Sequence, residues 1–144
     1  MRAILAVLLL AACTQTAPVS QSGAGPESLD AARALWADAG FADYQMTLTR
    51  SCFCPEDFRG PFAVSVEDET VTEVEFQGRD LSTDRALTVE ALFDLLQDAY
   101  DQGAARVDVT YHPTLGYPMS LYIDVSEMMA DEEVGYTVEG LEGV

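Results

Sequence analysis

The chain contains no lysine, and its seven basic residues are all arginines set against 25 carboxylates, for a formal net charge of -18 over 144 residues. A surface of that sign repels phosphate backbones, which excludes nucleic acid as a partner. It is equally repelled by anionic lipid headgroups, so docking to a membrane by charge alone is excluded. The acidity reads as a well-solvated exterior. Histidine is nearly absent, with His112 alone, and cysteine is sparse, with Cys13, Cys52 and Cys54. Short catalytic signatures are missing too: there is no G-x-S-x-G elbow, no H-E-x-x-H, no phosphate loop and no G-x-G-x-x-G. The acidic residues Asp124, Asp131, Glu132 and Glu133 lack the spacing of a calcium loop and read as a solvated edge. Nothing in these patterns marks an enzyme, a resident metal or a cofactor.

What the sequence does have begins at its start. Residues 1–12, MRAILAVLLLAA, place one arginine before an unbroken apolar run that is too short to span a bilayer. This is a signal-peptide pattern. Its end, Leu10-Ala11-Ala12-Cys13, resembles the lipobox of bacterial lipoproteins, in which small residues suit the peptidase and the cysteine thiol accepts the lipid. Cys13 is then the first residue of the mature chain. Residues 13–27 supply the lipidated cysteine and a tether rich in Ser, Thr, Gln, Gly and Pro, with a coil reach of about 20 Å. Several acyl chains, at about 0.8 kcal/mol per buried methylene, make such an anchor effectively permanent. Thr14 follows the cysteine where Asp would favour the inner membrane, so the expected location is the outer membrane, facing the periplasm.

Residues 28–144 are long enough for one domain with its own core, 49% of the whole chain being hydrophobic. Ser28 caps a helix carrying Leu29, Ala32, Leu35, Trp36 and Ala39, and Gly40 stops it. The period then changes to two through Tyr44, Met46 and Leu48. Strands follow at Phe62, Val64, Val66 and at Val71, Val74, Phe76. After a polar connection from Gly78 to Leu87, Thr88 opens a second helix with Val89, Leu92, Phe93, Leu96 and Tyr100 on one stripe. Val107 to Tyr111 and Met119 to Val125 alternate around the proline-stiffened loop 112–118, and Val134 to Val138 adds a last strand. The pattern predicts an α+β fold, an antiparallel sheet of about six strands with two helices on one face. It also suggests a degenerate repeat of a helix and three strands.

With Cys13 lipidated, Cys52 and Cys54 stand alone in an oxidising compartment. In a straight strand their Cα atoms would lie about 6.7 Å apart, so a bond between them requires a bend. Three readings stay open: a structural local disulfide, reactive thiols and metal ligation. For metal, His112 could add a third ligand if the repeat brought the two proline-bearing loops together. Arg50 sits at the inward parity of the first strand, where an arginine is costly. A bulge at Arg50-Ser51 is therefore expected, turning Phe53 into the core. Phe53, His112, Tyr117 and Tyr122 are candidates for a contact surface, with Tyr111 beside them, because aromatic rings combine area with a polar tip.

The segments YQMTLTRSCFCP, VEALFDLLQDAY, VTYHPTLGYP and IDVSEMMADEEVGYTV together resemble the bacterial lipoprotein family called domain of unknown function 6174, from Tyr44 to Val138. Two positions depart from its pattern: His112 stands where aspartate is expected, and the Glu67-Thr70 turn lacks a glycine. The first departure weakens any role for an imidazole there. The resemblance implies location and fold and carries no assigned activity. The leading expectation is a lipid-anchored, non-enzymatic envelope protein that binds another protein or the cell wall. A thiol-active protein using Cys52 and Cys54 is the alternative, and a metal or small-ligand carrier is the third.

Overall fold

The computed structural model describes residues 25–129 and 131–144. The signal peptide, Cys13 and the tether as far as residue 24 lie outside the described residues.

Helix α1 spans Leu29–Ala39. The Ser28 hydroxyl accepts from the Ala31 amide at 3.2 Å, and Gly40 ends the helix at φ 67°. Helix α2 spans Val89–Asp101, with the Thr88 hydroxyl accepting from the Ala91 amide at 3.1 Å. Each cap satisfies an amide that has no partner inside its own helix. The buried stripe of α2 is Val89, Leu92, Phe93, Leu96 and Ala99. Tyr100, expected on that stripe, is exposed in the last turn, and Ala99 is the last residue of α2 to be buried.

Seven strands form one antiparallel sheet: β1 (Tyr44–Ser51), β2 (Phe62–Glu67), β3 (Thr70–Phe76), β4 (Arg79–Asp80), β5 (Arg106–Tyr111), β6 (Pro118–Asp124) and β7 (Val134–Gly143). Their order is β4-β3-β2-β1-β7-β6-β5. The α+β expectation holds, with one strand more than the alternation suggests. The addition is β4, two exposed residues folded back by Gln77 and Gly78, both at positive φ. So short a piece leaves no periodic signal.

One face of the sheet carries Tyr44, Met46, Leu48, Phe62, Val64, Val66, Leu121, Ile123, Tyr136 and Val138 into a single core with both helices. Trp36 of α1 meets Tyr44 edge-on at 5.3 Å, and Phe93 of α2 lies 6.5 Å from Tyr111. The other face is open and short-chained, with Gln45, Thr47, Ala63 and Ser65 on one half and Thr110, Ser120 and Thr137 on the other.

Strand direction divides the loops between two ends. The segments after β1, after β3 and after β6 gather at one end, where Ser51 pairs with Gly135. The turn after β2, the loop 112–117 and the chain end at Val144 lie at the other. The two halves match in element order but not in space. Corresponding strands keep their lateral order yet run in opposite directions. A rotation about the sheet normal would reverse that order, and an in-plane rotation would put one helix on each face. Both helices share one face, so no rotation relates the halves.

Candidate functional site

Beyond Ser51 the chain leaves the sheet in a tight excursion. The Cys52 and Cys54 sulfurs stand at disulfide-bonding distance, with Cα atoms 5.3 Å apart, well inside the extended separation of about 6.7 Å. The bend required for bonding is present. Pro55 then leads into a 3-10 turn over Glu56–Phe58. The Arg50 amide donates to the Arg59 carbonyl at 2.7 Å and closes the base of the excursion. The Arg85 guanidinium reaches the Asp57 carbonyl at 3.2 Å and lies 3.6 Å from the Phe58 ring centre. Gly60, at φ 82°, returns the chain to β2. A Cβ there would sit 2.7 Å from the Phe62 amide nitrogen and 2.9 Å from the Leu48 carbonyl oxygen, so no larger residue fits.

Phe53, between the two cysteines, is 84% exposed, which corrects the expectation that it turns into the core. The physical reason lies in β1. The bulge on its β7 side falls between Gln45 and Thr47, well before Arg50, so Arg50 keeps its inward parity opposite Tyr136. Its guanidinium lies 5.7 Å from that ring, and its Nε is buried with no hydrogen-bond partner. The arginine is tolerated because its stem and planar head cover an aromatic at the rim of the core. Burial pushes the Tyr136 phenol up, while the Arg50 charge opposes the shift.

The same end carries more exposed apolar surface. Met128 is 94% exposed and Met129 56%, both in the loop between β6 and β7, and Val125 and Phe58 add to them. A depression of about 370 Å³ lies beside the disulfide, lined by Cys52, Phe53, Cys54, Pro55 and Arg59. Arg59 is exposed and forms no ion pair among the described residues. Tyr122 sits on the open face across from Gly135, where the missing side chain leaves room for its ring, with the Arg106 guanidinium 5.3 Å from the ring centre.

His112 and Tyr117 belong to the opposite end. The His112 Nδ1 accepts from the Leu115 amide at 3.0 Å, and the imidazole stacks on Tyr117 at 4.8 Å. Tyr117 is buried against Trp36, at 6.2 Å, and burial pushes its phenol up. Together they clamp their own loop. Strands β7 and β6 separate β1 from β5, so His112 and the cysteines are about 14 Å apart in the lateral direction alone, and at opposite strand ends. That distance overturns a shared metal site. Among the described residues no group of three or more His, Cys, Asp or Glu side chains is placed to hold a metal ion. The four candidate contact residues therefore divide into Phe53 and Tyr122 near one end and His112 and Tyr117 at the other.

Sequence reasoning passed over Glu90. Its carboxylate accepts from the Trp36 Nε1 at 2.6 Å and from the Tyr44 hydroxyl at 3.0 Å, in the first turn of α2. An acidic residue two places after a threonine cap is so common at helix starts that it marks nothing by itself.

A family model covers residues 28–143. The chain belongs to the Family of unknown function (DUF6174). Comparison with curated proteins and with solved structures returns no match. The DUF6174 segment takes in both helices and all seven strands, so the cysteine excursion and the apolar end are parts of the family's domain. No described helix is long and apolar enough to cross a membrane.

Proposed function

We propose that this DUF6174 chain is a lipid-anchored envelope protein without catalytic turnover, held through Cys13 in the outer membrane and facing the periplasm, that binds another envelope protein with its cysteine end. The observation that carries the reading is the gathering of Phe53, Met128 and Met129, all largely exposed, at one end of the sheet. Aromatic residues, methionine and arginine are the types enriched in protein interfaces, and large apolar side chains left exposed at one end of a domain fit a contact role. The N-terminal segment leaves from the far end, where Gly25 packs within contact distance of the Tyr111 carbonyl and Pro113. An anchor attached there leaves the apolar end free to face a partner.

Two measurements test this. Cys13→Ala should move the chain from the membrane fraction to the soluble one; a variant that still sediments with membranes, without aggregating, removes the anchor. A photo-crosslinking residue at Phe53 or Met128 should capture a protein in cells that the same residue at Thr114 does not. Equal capture from both ends, or none from Phe53 and Met128, overturns the binding surface.

A further inference from the structure

The excursion that holds Cys52 and Cys54 is held by contacts other than their bond. The Arg50 to Arg59 hydrogen bond closes it, the Phe58 amide donates to the Pro55 carbonyl at 3.0 Å, and Arg85 ties Asp57 and Phe58 to the segment before α2. A crosslink between residues two apart removes little entropy from the unfolded chain, since that effect grows with loop length. The bond therefore does little as a staple. Both cysteines are half-buried at the wall of an open depression, where a thiol from outside can reach them. Arg59 shares the depression and favours a thiolate there. Of the other nearby charged groups, the Asp57 carboxylate is engaged by Arg85, the Glu56 carboxylate lies exposed on the turn, and the Arg50 guanidinium is turned away over Tyr136.

We propose that the Cys52–Cys54 disulfide is a reactive site that oxidises a dithiol of the bound partner protein, one dithiol per chain. A partner thiolate attacks one sulfur, the bond between Cys52 and Cys54 breaks, and a mixed disulfide forms as the other cysteine leaves as a thiolate. The partner's second thiol loses its proton and attacks the mixed disulfide. The partner departs with its own disulfide, and Cys52 and Cys54 are left as two thiols. Two electrons and two protons pass from the partner to the pair, and exposed Phe53 offers an apolar contact beside the reacting sulfurs. Only the identity of the partner rests on the binding role above.

The test takes the oxidised full chain through glutathione redox buffers, followed by alkylation and mass measurement of the tryptic peptide Ser51 to Arg59, which excludes Cys13. The pair should become half reduced under conditions at least ~100-fold less reducing than a structural disulfide requires. A pair that stays oxidised alongside a structural reference disulfide overturns the proposal. In Arg59→Gln, read on the longer tryptic peptide Ser51 to Arg79, reduction should slow severalfold and the pH midpoint of alkylation of the reduced pair should rise, with an unchanged circular dichroism spectrum. Unchanged exchange kinetics and pH midpoint in that variant also overturn it, since the site would then have no activating charge. Failure here leaves anchoring and partner capture intact, because neither readout passes through these two thiols.

Discussion

The Tyr44 hydroxyl accepts a hydrogen bond from the Val89 amide at 2.8 Å and so joins the first residue of β1 to the first residue of α2, 45 positions later. The same hydroxyl donates to Glu90, which also holds the Trp36 indole. One phenol thus links a strand and both helices. Tyr44→Phe leaves a helix-start amide and part of a carboxylate without partners in a part-buried place. The expected loss is about 1–3 kcal/mol, read as a lower urea midpoint with an unchanged slope.

Tyr111 makes the opposite case. Its hydroxyl is buried without a hydrogen-bond partner, so Tyr111→Phe removes an unsatisfied group and should be neutral or stabilising by up to about 1 kcal/mol. A midpoint that falls as far as that of Tyr44→Phe would contradict the assignment.

The same two phenols set a limit at high pH. Burial pushes Tyr111 up to about 12 and Tyr44 further still, above the ordinary value of 10.0 that the unfolded chain keeps. Raised folded values mean that the unfolded state releases its protons first as pH rises. Stability from these groups is complete below pH 10 and is lost progressively above it, towards about 12 for Tyr111. Denaturation midpoints should be insensitive to these phenols from pH 7 to 9 and fall beyond 10. In Tyr111→Phe the fall should be shallower.

Gly116 faces α1 at φ 79°, and a Cβ on it would collide with the Ala32 carbonyl oxygen and come within 2.8 Å of the Leu35 Cβ. Gly116→Ala combines a strained backbone with an overfilled contact. A loss of about 2–4 kcal/mol is expected in the same denaturation experiment.

The first hairpin turn allows a gain. Asp68 and Glu69 both hold positive φ, at 46° and 59°, the conformation that two-residue hairpins reserve for Asn, Asp and Gly. Glu69→Gly relieves the backbone at one position and removes a carboxylate beside Asp68 and Asp43. It should stabilise the domain by about 1 kcal/mol. A lower urea midpoint in that variant would show that the turn is not strained.

The sequence carried the elements well because their signals are local. Ser28, Gly40 and Thr88 are caps whose chemistry acts within one helical turn, and the alternation of Tyr44, Met46 and Leu48 needs only a sheet with one buried face. Strand order had no such signal. The pairing of β1 with β7 joins segments some ninety residues apart, and nothing local separates a repeat from two meanders laid side by side. The outward turn of Phe53 was missed for a related reason. Parity alone would have left it exposed, but the cost of an inward arginine argued for a bulge, and Tyr136, the residue that accommodates Arg50, is found only through that distant pairing. Glu90 was silent because its two partners come from other elements.

The junction of β1 and β7 at the middle of the sheet also governs when the domain can form. Tyr44 lies opposite Gly143, so the first strand waits for the last. A nascent chain that still lacks residues 134–143 holds two half-sheets, each with an unpaired edge along its length. Closure is a late, long-range event of the kind that slows folding. A chain that lacks β7 therefore cannot complete the sheet, and its core stays open between the two half-sheets.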